Sequence, residues 1–317
     1  VSGLLTLDGK NCLVLGAGGF IGSHLCHVLA GEGARVHGFG RPPKFPDALP
    51  AIRWTTGEFS DRAALALAVD GAEVVFHLLG GTNPEVSNND PIADLQVNTI
   101  ASVQLLELCR AAGVGKVVFV SSGGTVYGAP QAVPILETAP TDPISAYGIN
   151  KLMVEKYLQL YEHLHGFQTI VLRVANAFGP YQSPYRRQGV VPALIETYLA
   201  GRPVELWGDG HTIRDFVFVR DLAEAIVCAA RFDGPHQVVN IGSGIGRSLL
   251  EVVGAIGIVL GLPPARIIHK PARRGDVRSN VLDIARARDV LGWAPRTEWM
   301  AGLQITAEWI RATYGFA

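Results

Sequence analysis

The apolar run at residues 12–15 passes straight into Gly16-Ala17-Gly18-Gly19-Phe20-Ile21-Gly22 and then into a segment of helical character at 21–30. Strand, glycine turn and helix in that order restrict the fold more than any other stretch of the chain. Small residues let the backbone approach a diphosphate, and the first turn of the following helix offers unpaired N–H groups and a partial positive charge. A tight turn without a ligand also needs glycine. The motif therefore gains its meaning from its place at the head of a series of strand–helix units.

Continuous apolar runs recur at 74–76, 117–120 and 170–172, with further strands predicted at 35–39 and 52–55. Runs without polar alternation suit strands buried on both faces, as in a parallel sheet. Between them, 94–112 and 147–165 have the length and mixed polarity of covering helices. The alternation predicts an α/β chain built on a Rossmann-type doubly wound parallel sheet. After Gly179 the character changes, with Pro180, Pro184, Pro192 and Pro203 interrupting the chain. A smaller C-terminal substrate-binding lobe is predicted there, with helices near 191–200, 222–231 and 302–313, a strand at 204–206 and a loop at 207–212. The division is 1–179 for a dinucleotide-binding domain and 180–317 mostly for the second lobe, some of whose segments return to the first. A chain of 317 residues has room for two such unequal units with a cleft between them.

With 27 basic and 28 acidic residues the net charge is −1, which gives no basic surface for tracking nucleic acid. An anionic ligand has to be met by local arginines. Cys12, Cys26, Cys109 and Cys228 are widely spaced and suggest reduced, buried thiols rather than a disulfide framework. No apolar run approaches the roughly 18 residues of a membrane span, and the first residues lack a basic export signal, so a soluble cytoplasmic protein is expected. His24 and His27 lie one turn apart, but no Cys or carboxylate joins them locally, and no metal site is predicted.

Tyr147 and Lys151 stand four residues apart and share one face of the predicted helix. A phenol is a poor base at neutral pH unless a nearby cation favours its ionised form, and Lys151 can supply that charge. About 20 residues beyond the glycine turn, where an acid usually meets the adenosine ribose, the chain carries Gly40-Arg41. With Arg41 and Lys44 close by, the residues leave both NAD and NADP open.

Together these motifs resemble the extended short-chain dehydrogenase/reductases, and among them the nucleotide-sugar epimerases and dehydratases of the UDP-glucose 4-epimerase type. Further matching stretches are His77–Gly81, Ser121–Gly128 (SSGGTVYG), Arg173–Gly179 (RVANAFG), Trp207–Phe216 (WGDGHTIRDF) and Arg273–Asp276. The resemblance implies an NAD-dependent enzyme in which Gly16, Gly19, Phe20, Ile21 and Gly22 hold the cofactor diphosphate. Arg41 and Glu58 would then lie towards its adenosine end, and Leu79, Gly80, Asn98, Ser121 and Ser122 would line the rest. Tyr147 would be the acid/base and Lys151 would both depress its pKa and hold the nicotinamide ribose. Asn176, Arg214 and Arg273 would grip the diphosphate of a nucleoside-diphosphate sugar, and Asp276 its ribose. The family commonly forms homodimers through a four-helix bundle, here near 94–112 and 147–165.

One position departs from the family pattern. Aligned on Tyr127-Gly128, the usual catalytic Ser/Thr is Gly123, so either Thr125, the favoured replacement, Ser122 or a water supplies the hydroxyl, or Tyr147 contacts the sugar directly. The Asp-Glu pair typical of the 4,6-dehydratases is Gly124-Thr125, which sets dehydration below epimerisation. The expected reaction is therefore epimerisation, at C4 of an NDP-hexose and with a UDP-sugar favoured, through a 4-keto intermediate. The rivals are an NADPH-dependent 4-ketoreductase, a 4,6-dehydratase and, from a different class, a catalytically silent dinucleotide-sensing or scaffold protein.

Overall fold

The computed structural model describes residues 5–80, 84–185, 189–272 and 276–316. Its first half alternates strand and helix. The elements are β1 (Asn11–Leu15), α1 (Phe20–Gly31), β2 (Arg35–Gly40), β3 (Arg53–Thr56), α2 (Arg62–Val69), β4 (Val74–His77), α3 (Pro84–Asn89), α4 (Pro91–Asp94), α5 (Ala101–Ala112), β5 (Lys116–Ser122), α6 (Ala146–His165) and β6 (Gln168–Val174). The second half adds β7 (Asn176–Phe178), α7 (Val190–Leu199), β8 (Val204–Trp207), β9 (Ile213–Phe218), α8 (Val219–Arg231), β10 (Gln237–Ile241), β11 (Gly246–Ser248), α9 (Leu249–Leu260), β12 (Ile267–Lys270), β13 (Ser279–Asn280), α10 (Ala285–Leu291) and α11 (Trp299–Tyr314).

Seven strands form one parallel sheet in the order β10-β6-β5-β4-β1-β2-β3. The order reverses between β1 and β4, which opens a crevice at the carboxyl ends of those strands. Both faces of the sheet are covered, which is why β1, β4, β5 and β6 read as apolar runs. On one face Val14, Phe76, Val118 and Leu172 pack against α1, α8 and α10. On the other, Leu13, Val75, Phe119 and Val171 pack against α2, α5 and α6.

The predicted helix at 94–112 is interrupted. Residues Leu95–Ile100 form a wider, π-type turn between α4 and α5. Polar side chains explain the break: buried Asp94 accepts from Asn98 Nδ2 at 2.7 Å and from Asn150 Nδ2 at 2.5 Å, and Thr99 donates to Asn150 Oδ1 at 2.9 Å. A buried polar cluster must be satisfied, and a widened turn is a local way to achieve this, often near functional sites.

The second lobe has a small sheet in which β9 pairs with β7, β11 and β13, a two-stranded β8–β12 pair, and its own core of Phe178, Ile195, Phe216, Val252 and Leu303. Three segments beyond residue 180 lie with the large sheet: β10 forms its edge, and α8 and α10 join the core on the α1 face. Conversely β7, before residue 180, belongs to the small sheet. A single residue, Ala175, separates β6 from β7, and β9 runs directly into α8.

Candidate active site

A cleft of about 1830 Å³ opens at the carboxyl ends of the parallel strands and continues into the second lobe. One end is the glycine turn. Gly16 has φ +85, a conformation that suits only glycine without strain, and a Cβ on Gly22 would lie 2.2 Å from the Gly16 carbonyl oxygen. The first turn of α1 carries no side-chain cap and no acidic residue. By contrast α2 is capped by Asp61, α6 by Ser145 and α9 by Ser248 with Glu251. The Gly16 and Gly19 N–H groups close the turn itself, onto the Phe39 and Gly16 carbonyls, and the uncapped first turn of α1 remains for an anion, which fits a dinucleotide diphosphate.

The middle of the cleft is lined by Gly80, Ser121, Ser122, Gly124, Thr125, Tyr147 and Lys151. Tyr147 sits in the first turn of α6, whose N–H groups are each capped. Asn88 Oδ1 accepts from Ala146 N–H at 2.9 Å, Ser87 Oγ from Tyr147 N–H at 3.0 Å, and Ser145 Oγ from Gly148 N–H at 3.2 Å. Lys151 crosses above Gly80, where a Cβ would come within 3.3 Å of Nζ. Its ammonium donates to the Val120 carbonyl at 2.9 Å and lies 5.8 Å from the centroid of the Tyr147 ring. Burial drives Lys151 down to about 8, against the attraction of Glu155 and Asp94. Burial likewise pushes the Tyr147 phenol up to about 12, with Asp94 acting in the same direction. In the protein by itself, the lysine therefore does not outweigh burial, and the phenol is held protonated.

Position 123 does not face the cleft. A Cβ there would meet Leu282 Cδ1 at 2.6 Å and the Arg173 carbonyl oxygen at 3.1 Å, so a hydroxyl at this position would point into the protein. Ser122 and Thr125 both line the cleft. Thr125 Oγ1 is buried with no hydrogen-bond partner among the described residues. Such a group is costly unless something else satisfies it.

At the far end, Asn176 and Arg214 line the cleft with Asp276. Arg214 Nη2 donates to Asp276 Oδ1 at 2.8 Å and Nη1 to the Val277 carbonyl at 2.6 Å, so the arginine is braced from one side. Asn176 Nδ2 donates to the Asp215 carbonyl at 3.0 Å. Asp215 itself is fully buried and gathers N–H donors from Ser243, Gly244 and Leu282, which ties β9 to its neighbours. Arg273 falls outside the described residues.

Not every residue singled out from the sequence lines this cleft. Arg41 and Glu58 are exposed and lie outside its lining. Leu79 packs over Gly16, and together with Asn98 it lines a small cavity behind Tyr147 and Lys151. Sequence reasoning missed Ser87, Asn88 and Glu155. The first two act across about 60 residues of chain and leave no local signal. Glu155 did leave one, being four residues beyond Lys151 on the same helix face. Among the described residues no three His, Cys, Asp or Glu side chains gather as a metal site, and no helix is long and apolar enough to cross a membrane.

Residues 12–242 match the NAD dependent epimerase/dehydratase family. The chain is 38% identical over 307 residues to a UDP-glucose 4-epimerase of Mycolicibacterium smegmatis, covering 94% of this chain and 98% of that one. Among solved structures it is similar to the UDP-glucose 4-epimerase of Thermotoga maritima with UDP-glucose, with TM-score 0.91, 34% identity and coverage of 96% and 100%. It is also similar to that of Thermus thermophilus in complex with NAD, with TM-score 0.88, 32% identity and the same coverage.

Proposed function

The chain belongs to the NAD dependent epimerase/dehydratase family, and we propose that it is an NAD-dependent epimerase that inverts C4 of a UDP-hexose, interconverting UDP-glucose and UDP-galactose. The observation that carries this is the single cleft, which joins the glycine cradle, the Tyr147–Lys151 pair and Arg214 in line. Bound in the cradle, NAD supplies the hydride acceptor and donor for the inverting carbon. The protein's part is to move the proton. Tyr147 as phenolate accepts it from the C4 hydroxyl and later returns it, and the Lys151 ammonium makes that phenolate accessible. Thr125, whose hydroxyl lacks a partner, passes the proton between sugar and Tyr147. Arg214, with Asn176, grips the diphosphate through charge-assisted hydrogen bonds, while the hexose is left free to turn over.

Incubation with UDP-glucose should yield UDP-galactose with no net change in reduced cofactor. Consumption of NADPH in step with product, or unchanged sugar across UDP-, GDP-, CDP- and dTDP-hexoses, would remove the reading. We further infer a cytoplasmic homodimer, supported by the exposed apolar residues Ile92, Val97, Ile100, Leu160 and Leu164 on the stretch containing α4 to α6. The same preparation should then elute at twice the chain mass, and elution at the mass of one chain would remove the dimer.

Thr125→Val is expected to lower kcat by roughly 10- to 100-fold, the loss of about 1.4–2.7 kcal/mol of transition-state hydrogen bonding, with KM little changed. Ser122→Ala should cost less. The reverse order would move the relay to Ser122.

A further inference from the structure

Behind Tyr147 and Lys151 lies a buried ion pair to which no role in the reaction has been assigned. Glu155 on α6 is 3% exposed and Arg173 on β6 is 4% exposed. Arg173 Nη2 donates to Glu155 Oε2 at 2.6 Å, and Nε lies 3.1 Å from both carboxylate oxygens. The Ser121 hydroxyl donates to Glu155 Oε1 at 2.5 Å. Lys151, one turn earlier on the same helix, holds the Val120 carbonyl. Two side chains of α6 thus grip two consecutive residues at the end of β5, immediately before Ser122 enters the cleft.

The pair is braced in turn. The Arg173 guanidinium lies 4.8 Å from the centroid of the Tyr127 ring, and Tyr127 OH donates to Asn240 Oδ1 at 2.7 Å. Stability alone explains such an arrangement poorly, because desolvating two ions offsets most of their attraction and an apolar pair of similar volume is often as stable.

We propose that Glu155, fixed by Arg173, is a positioning residue of the reaction: it holds the end of β5 through the Ser121 hydroxyl and places an anion behind Lys151, keeping that lysine protonated beside Tyr147. The proposal rests on the reading of Tyr147 and Lys151 as base and tuning cation. The other titratable groups around Lys151 are Asp94, which precedes the π-type turn, Tyr147, and His77 on β4. His77 is held neutral, its pKa driven well below the ordinary value by burial and by Lys151. Of the two anions, Glu155 supports the ammonium more strongly than Asp94. Removing its charge must lower the pH at which Lys151 loses its proton, so the fall in rate on the alkaline side moves to lower pH.

The test is competitive acetylation of Lys151 in the cofactor-free full chain across a pH series, read by mass spectrometry, beside the pH profile of kcat. The variants are Glu155→Gln, Ser121→Ala, and Glu155→Gln combined with Arg173→Met, which leaves no buried ion unpaired. The Lys151 midpoint is expected to fall by about one pH unit in both Glu155 variants and to stay in place in Ser121→Ala. The alkaline limb of kcat should follow it. A midpoint equal to that of the parent in both Glu155 variants would overturn the proposal and leave the pair a packing feature. Because acetylation needs no substrate, a shifted midpoint in a protein that converts no UDP-sugar would keep the role of Glu155 and remove only the epimerase reading.

Discussion

Tyr147→Phe is expected to lower turnover of UDP-glucose by roughly 10²- to 10⁴-fold, the range over which a positioned acid/base acts, while leaving the bound cofactor in place. The change removes one oxygen and keeps the ring. The capping of the Tyr147 N–H by Ser87 is a backbone contact and survives, so the variant should fold and bind as the parent does. The sign of the pH dependence follows from the site. Burial and Asp94 hold the phenol at about 12 in the protein alone. At pH 7 that leaves a phenolate fraction of about 10⁻⁵. Turnover near neutrality therefore needs the pKa brought down in the loaded site, and the parent rate should rise with pH until Lys151 begins to lose its proton. Tyr147→Phe should erase the rising limb. A variant with near-parental rate and an intact limb would place the base elsewhere.

Gly22→Ala should all but abolish cofactor retention and activity. The added methyl would lie 2.2 Å from the Gly16 carbonyl oxygen and 2.7 Å from Ala17 Cα, both backbone atoms of the turn itself. No rotamer relieves a Cβ clash, so the turn must open, at a cost of about 1–3 kcal/mol in stability and with loss of the cradle that α1 leaves uncapped for a diphosphate. The matched control is Gly31→Ala in the same helix, where a Cβ meets nothing within 4 Å. That change should be neutral or stabilising by up to about 1 kcal/mol, because alanine favours helix over glycine. Cofactor content after purification and the melting temperature read both variants. Full cofactor content in Gly22→Ala would mean that the turn is not the diphosphate site.

The strands that the sequence reveals most directly are those whose apolar runs are buried on both faces: β1, β4, β5 and β6 lie where those runs predict them, and β2 and the half-exposed β3 lie at the two further strands expected. Periodicity reports how a segment is buried, not what it pairs with. It could not tell that β10, which starts at Gln237, far beyond the end of β6 at Val174, completes the same sheet. It also could not foresee the π-type turn, which depends on Asn150 reaching Asp94 across 56 residues. At the site, Tyr147, Lys151 and the glycine turn were legible because each is a short local pattern. The direction of position 123, away from the cleft and into the protein, was not, because it is shown by the packing of Leu282, far along the chain. Nor was the bracing of Arg214 by Asp276, a tertiary contact spanning 62 residues.

The crossings between the two sheets carry a mechanical consequence. At Ala175 the chain steps from β6 to β7 through one residue, and at Phe218–Val219 it steps back from β9 into α8 through none. The two crossings lie at opposite ends of the β7–β9 pair, in which Asn176 is level with Phe216 and Phe178 with Phe218. A hinge needs a few loop or element-terminal residues able to absorb a change in backbone angles, and of loop residues these two crossings offer Ala175 alone. Slack between the two sheets is therefore concentrated in the third crossing, residues 242–245 between β10 and β11, while Asn176 stays tied within two residues of the end of β6.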